Sequence, residues 1–208
     1  LSFVNGVSDF SYVVGEMEKE SNSLAPFTFP IGDNDNYMGL TITPVISPST
    51  YRAEFDQTSI HSSVVPGSTP VSGMDHISEL YWWNLQGPNC DVGLNWNSNS
   101  LVDDHSNIVL AYYNVSSGQW EVAGNYLTSS NGGGSSSNAD GRVSSQSSSL
   151  GIGNFTLGSI SSNNPFKINV SKTYVPDNNF EDYLETHDAS GVTVSLGDPN
   201  SMGDGIAN

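Results

Sequence analysis

Asn107-Ile108-Val109-Leu110-Ala111-Tyr112-Tyr113 is almost unbroken in apolar character, and Gln119-Trp120-Glu121-Val122-Ala123 alternates, with Trp120 and Val122 on one face. The turn-forming run Asn114-Val115-Ser116-Ser117-Gly118 joins them. A central strand followed at this spacing by a half-buried one reads as a β-hairpin, and it fixes the class of fold that the rest of the chain must complete. The same signature recurs elsewhere. Period-2 alternation with β-branched and aromatic enrichment predicts further strands at Leu1–Asn5, Phe10–Val14, Phe27–Ile31, Tyr37–Thr43, Tyr51–Asp56, Ile77–Leu85, Asp91–Trp96, Gly141–Ser145, Asn154–Gly158 and Phe166–Val170. Gly32-Asp33-Asn34-Asp35-Asn36 and Gly67-Ser68-Thr69-Pro70 punctuate them with residues that favour turns. Many short strands with almost no helical periodicity predict an all-β, two-layer β-sandwich. Its expected core includes Phe29, Leu80, Trp96, Leu110, Trp120 and Phe155.

One helix is expected, late in the chain. Asp177 or Asn178 is placed to cap Asn179-Phe180-Glu181-Asp182-Tyr183-Leu184-Glu185-Thr186, with acids near its N-terminus and Phe180, Tyr183 and Leu184 at i, i+3 and i+4. Ser190-Gly191 would end it before a short strand, Val192–Leu196. The pattern changes near Asn164-Pro165, so the expected division is a sandwich over 1–163 and a linker, short helix and start of a further domain over 164–208. Ser129–Asn138 is a Gly/Ser tract with nothing apolar to offset the entropy of ordering it, and reads as a surface loop. The chain opens at Leu1 without Met and stops at Asn208 within what reads as a motif, which suggests a segment of a longer polypeptide.

Charge narrows the function classes. Against 22 acidic residues stand five basic ones, Lys19, Arg52, Arg142, Lys167 and Lys172, for a formal charge of −17. Such a surface repels nucleic-acid phosphates and anionic lipid, and no apolar run approaches the length of a membrane span. It suits an extracellular protein that must stay soluble, and it supplies oxygen ligands for Ca²⁺. Cys90 is the single cysteine, set among apolar residues beside Asp91, and reads as a small core hydrophobe rather than a reactive thiol.

Several runs, taken together, resemble a β-sandwich module of large secreted and cell-surface proteins of Bacteroidota. They are Ser2-Phe3-Val4-Asn5-Gly6, Glu18-Lys19, Phe27-Thr28-Phe29-Pro30-Ile31-Gly32-Asp33, Asp75-His76-Ile77-Ser78 leading into Tyr81-Trp82, Val92-Gly93-Leu94-Asn95-Trp96-Asn97-Ser98, and Phe155-Thr156-Leu157-Gly158-Ser159. The resemblance covers about the first 160 residues. It implies cargo of the type IX secretion system, adhesin-like, and it brings no catalytic residues to carry over. Tyr174-Val175-Pro176-Asp177-Asn178-Asn179-Phe180-Glu181-Asp182-Tyr183-Leu184 resembles the entry segment of leucine-rich-like repeats in the same group of proteins.

Candidate sites are few. His61, His76, His105 and His187 lack metal-ligand spacing. Asp75-His76 has the makings of a catalytic dyad, but no GxSxG-like nucleophile motif accompanies it, and the pair is expected to close a turn before the Ile77 strand. Glu54 and Asp56 share a strand face without a sign of the cleft that a carboxylate pair needs for glycoside hydrolysis. Oxygen ligands for Ca²⁺ are offered by Asp33 and Asp35, and again by Asp198, Asn200 and Asp204, where Met202 occupies a position that wants an oxygen. Among the aromatics, Trp82, Trp83, Tyr112, Tyr113 and Phe180 are the candidates for a glycan or subunit contact. Adjacent strand residues point to opposite faces, so one of Trp82 and Trp83, or one of Tyr112 and Tyr113, should be exposed or covered by another element.

The sequence thus reads as a non-enzymatic structural or adhesive module of a secreted or cell-surface bacterial protein, including the subunit of an extracellular assembly or filament. The alternative is a carbohydrate-binding module attached to a polysaccharide-active enzyme. Expected partners are other subunits or domains of the same long polypeptide and surface glycans, with no nucleic acid and no membrane insertion. No cofactor beyond Ca²⁺ is expected.

Overall fold

The computed structural model describes residues 11–33, 36–58, 70, 73–128, 136–145, 150 and 153–164, together with the backbone of strands at 169–173, 183–187 and 193–195. Contacts divide the chain into two compact units, Leu1–Asn164 and Pro165–Asn208.

The first unit is built from two large antiparallel sheets in a sandwich-like arrangement. The seven-stranded sheet runs β1 (Met17–Ser21), β6 (Ser49–Asp56), β8 (Trp82–Gln86), β14 (Gly153–Ser159), β10 (Ile108–Asn114) and β11 (Gln119–Gly124), with the short β7 (His76–Ile77) also pairing β14. The five-stranded sheet runs β12 (Tyr126–Thr128), β13 (Gly141–Ser144), β9 (Cys90–Trp96), β5 (Leu40–Pro44) and β2 (Phe27–Phe29). A small hairpin, β3 (Gly32–Asp33) with β4 (Asn36–Tyr37), stands apart from both. The expected hairpin is present as β10 and β11, with Tyr112 opposite Glu121 and Tyr113 opposite Trp120.

Between the sheets, alternation delivers one side chain in two to the core. Tyr51, Phe55, Trp83, Leu85, Phe155, Leu157 and Leu110 come from the larger sheet, and Phe29, Leu40, Ile42, Val92, Leu94 and Trp96 from the smaller; all are buried. Phe55, Tyr81 and Trp83 form a ring cluster with centroids 5.2–5.5 Å apart. The Trp83 indole N–H donates to Met38 O at 2.8 Å and so satisfies the one polar atom of that side chain. Leu80, expected in the core, is only half-buried, because it lies in the bend between β7 and β8 and not in a paired strand.

The larger sheet buries part of its other face as well. Met74, Ile77, Trp82, Val109, Ala111 and Trp120 form a second apolar cluster there, with Tyr113 packed against it. Trp83 therefore faces the other sheet, and Trp82 faces this second cluster. The cover expected from a loop or a helix at Phe180 comes from the segment at Met74–Ile77. Gly158 makes room for it, since a Cβ at that position would stand 2.4 Å from Met74 Sδ.

Pro165–Asn208 contains a three-stranded antiparallel sheet, β15 (Asn169–Thr173), β16 (Tyr183–His187) and β17 (Thr193–Ser195). Tyr183–His187 is thus extended where the sequence pattern predicted helix; Phe180 and the rest of the predicted helix lie outside the described residues. A helix this short is marginal in water, whereas a strand flanked on both sides satisfies its backbone groups by pairing. β16 has that arrangement, with Thr186 opposite Val170 on one side and Val194 on the other.

Burial sets an alkaline limit to stability. Desolvation, with a smaller push from the Asp91 carboxylate, raises the Cys90 thiol to about 12. Burial also raises the phenols of Tyr81 and Tyr51. An unfolded thiol ionises near pH 8.5, so the unfolded chain loses its proton first. The stability that comes from keeping Cys90 neutral is complete below about pH 8.5 and lost as pH rises towards 12. Chemical denaturation at pH 7, 9 and 10.5 should show stability falling across that window, by up to about 1.4 kcal/mol per pH unit for each such group, and less in Cys90→Ala.

Candidate functional site

Of the sequence-predicted candidates, those among the described residues are scattered over the fold. Trp82 and Trp83 are buried on opposite faces of β8. Tyr112 is half-buried against Phe155 at 5.4 Å between centroids, and Tyr113 against Trp120 at 5.5 Å. Neither pair forms an open platform for a sugar ring. Asp33 ends β3; Asp35, Asp198, Asn200, Asp204 and Phe180 lie outside the described residues. Among the described residues no group of three or more His, Cys, Asp or Glu is placed to hold a metal ion.

Asp75 and His76 meet, with His76 Nδ1 2.8 Å from Asp75 Oδ2, while His76 Nε2 abuts the Asn164 carbonyl. Both ring nitrogens are thereby engaged, and neither is left facing a nucleophile. The pair fastens the segment before β7 to the turn after β14. Asn164 continues that fastening from a fully buried position. Its Oδ1 accepts from the amides of Asp103 and Asp104 at 2.9 and 2.8 Å, and its Nδ2 donates to Asp104 O and Ser159 Oγ at 2.9 and 3.0 Å. Nearby, hydrogen bonds led by the Ser106 hydroxyl hold the Asp104 carboxyl below the usual carboxylate range.

A more unusual arrangement lies on the outer face of the five-stranded sheet. Register aligns Thr28, Thr41, Gly93, Ser144 and Tyr126 in one row across all five strands, and Gly39, Asn95, Arg142 and Thr128 in the next. Alternation sends the apolar partners Phe29, Leu40, Leu94 and Val143 inward and leaves this side to hydroxyls, glycine, an amide, a guanidinium and, opposite Thr43, the Asp91 carboxylate. Thr28 Oγ1 and Thr41 Oγ1 share a hydrogen bond of 2.8 Å.

Two glycines keep the surface low. The Tyr37 phenol lies over Gly39, with its Oη 2.6 Å from where a Cβ would be. The Arg142 stem lies across Gly93, its Cδ 3.1 Å from that glycine's would-be Cβ. The stem carries the guanidinium from β13 over β9 towards β5. Arg142 Nε donates to Thr128 Oγ1 at 3.2 Å, and Nη1 makes a long contact of 3.5 Å with Thr41 Oγ1. These partners are neutral. Among the described residues Arg52 pairs with Glu18, while no carboxylate stands within ion-pair distance of Arg142, although Asp91 shares its face.

Asn95, the register neighbour of Arg142, is buried, and its Oδ1 has no donor. Buried acceptors are rarely left so. Sequence reasoning passed over this face. Its one early signal is the alternation Thr41-Ile42-Thr43, which marks a polar side but does not say which strands lie next to it.

Compared with family models, with curated proteins and with solved structures, the chain matches none.

Proposed function

We propose that this chain is a non-enzymatic binding module of a secreted or cell-surface protein, and that it makes its contact through the outer face of the five-stranded sheet. The observation that carries this reading is a polar face on which Thr28, Thr128, Arg142 and Ser144 stand half-buried over buried Thr41, Gly93 and Asn95, with a guanidinium that has no ion pair among the described residues. A hydroxyl-lined floor offers donors and acceptors at fixed positions with little side-chain entropy to lose, as recognition of a polar, hydroxyl-rich ligand requires. The acidic composition, and the use of both His76 nitrogens in fastening a turn, favour adhesion over catalysis.

The carbohydrate-binding alternative differs in what the parent protein does rather than in the contact made, and the same surface favours it. The test is a wedge on the floor. Thr43 is half-buried on this face, one position along β5 from the inward-facing Ile42. Thr43→Trp should leave thermal unfolding unchanged within about 2 °C, the scale of a surface substitution, and reduce binding to an immobilised glycan panel at least tenfold. Binding that is indifferent to Thr43→Trp, or no binding to any glycan or bacterial surface polysaccharide, would overturn the reading.

A further inference from the structure

We infer that Arg142 is the specificity determinant of this face and that it selects a carboxylate-bearing saccharide, a uronate polymer, over neutral glycans. The inference rests on the binding-face reading above and adds a ligand class to it.

The argument begins with the charge. A guanidinium presents donors in a planar fork, and its strong partners are carboxylates and phosphates, in bidentate geometry. In a chain with 22 acidic residues, an arginine amid its own carboxylates would be the ordinary outcome, as Arg52 illustrates with Glu18 at 2.7 Å. Arg142 is held differently. One edge of the fork is fixed by Thr128 and the stem is laid along Gly93, so the side chain is oriented by neutral groups, with no ion pair among the described residues. Thr128 and Thr41 engage only Nε and Nη1. Among the described residues no hydrogen bond engages Nη2, which would make the second half of a fork contact with a bound carboxylate.

The surroundings select the saccharide. Around the guanidinium lie Thr28, Thr41 and Ser144, and the Tyr37 ring lies over Gly39 in the neighbouring row. Hydroxyls beside an aromatic ring match a sugar's hydroxyls and its apolar ring face. A phosphate polymer such as nucleic acid would spread many charges along a strongly acidic protein, and is disfavoured by the net charge of −17. A carboxylate on each sugar needs only one matched cation and leaves the other contacts neutral. The same net charge predicts a salt signature. Long-range repulsion is screened above roughly 0.1 M salt, where the Debye length is about 10 Å, while the seated ion pair is screened less. Affinity should therefore hold or rise from 20 to 150 mM salt.

The test uses the full chain and a matched ligand pair: an oligogalacturonate and the same oligomer fully methyl-esterified, with oligomannuronate and oligoglucuronate as further uronates and oligoglutamate as a non-sugar polyanion. Calorimetry at 150 mM salt should show binding to at least one uronate and a loss of about tenfold to a hundredfold on esterification of that oligomer. Arg142→Gln should lose the same factor for the acid, so that esterification then costs it little further, and Arg142→Lys should recover only part of the loss, because a point charge does not replace the fork. Equal binding of acid and ester, with both lost in Thr43→Trp, would overturn the uronate inference and leave the binding face standing. Binding of oligoglutamate as tight as the best uronate would overturn it in favour of an acidic peptide. Binding of no uronate at millimolar concentration would overturn it outright, and the glycan panel then judges the face by itself.

Discussion

Trp83→Ala should cost about 3–5 kcal/mol and lower the melting temperature by roughly 10 °C. The side chain is fully buried, packs against Phe55 and Tyr81, and reaches across to Met38 O. Truncation opens a cavity between the sheets and strands a buried carbonyl, so two penalties add. Trp83→Phe separates them: it keeps most of the packing and loses the N–H, and should cost about 1–3 kcal/mol. Urea denaturation of both variants checks the order. A Trp83→Ala variant within 1 kcal/mol of the parent would show that the sheets do not pack through this ring.

Asn164→Ala should be nearly as costly, at about 3 kcal/mol or more, although the residue contributes almost nothing apolar. One amide terminates the backbone N–H groups of Asp103 and Asp104 and supplies Asp104 O and Ser159 Oγ, all from a position with no exposure. Alanine leaves these groups without partners in a place water cannot easily reach, and each such group costs about 1–3 kcal/mol. Asn164→Asp retains the acceptor for the two amides and loses the donors, so it should fall between alanine and the parent. Hydrogen exchange at the Asp103 and Asp104 amides gives the local reading. Fast exchange in Asn164→Ala but not in Asn164→Asp is the expected result.

Much of this architecture was legible in the sequence because alternation marks strands that have one wet face. β10 and β11, β6, β9 and β14 fall where periodicity places them, within a residue or two at their ends, and β5 starts three residues later than expected. β1 escapes the pattern because Met-Glu-Lys-Glu-Ser is an edge strand whose charges hide it; of the strand expected at Phe10–Val14, the described residues show bridge pairing at Ser11 and at Val13, the latter to Ile31. Ile77–Leu85 is broken by the bend at Ser78–Tyr81 into β7 and β8, since a continuous apolar run does not announce where pairing changes. Tyr183–His187 carried a helical spacing that sheet pairing overrode. The binding face was illegible for a different reason. Thr28, Thr41, Asn95, Thr128 and Arg142 come from separate strands, and only the register of the sheet turns them into one surface.

The double burial of the larger sheet has a consequence for how its strands find their alignment. A strand with one wet face resists a one-residue slip, because the slip would turn its apolar set into water. β10 buries Ile108 and Leu110 on one side and Val109 and Ala111 on the other, so inside and outside are nearly interchangeable and this safeguard is weak there. Alignment must then be dictated by local keys that fit in one position only. Three such keys are in place: the hydrogen bond of 2.8 Å that Asn84 Nδ2 on β8 donates to Asn154 Oδ1 on β14, the seat that Gly158 leaves for Met74, and the irregularity at Leu110–Ala111 where β10 meets β11. Each is polar, vacant or kinked where its surroundings are greasy and regular. Misaligned strands would therefore form a compact and nearly as apolar a sheet, and the barrier to escaping it would be set by these few residues rather than by the size of the core.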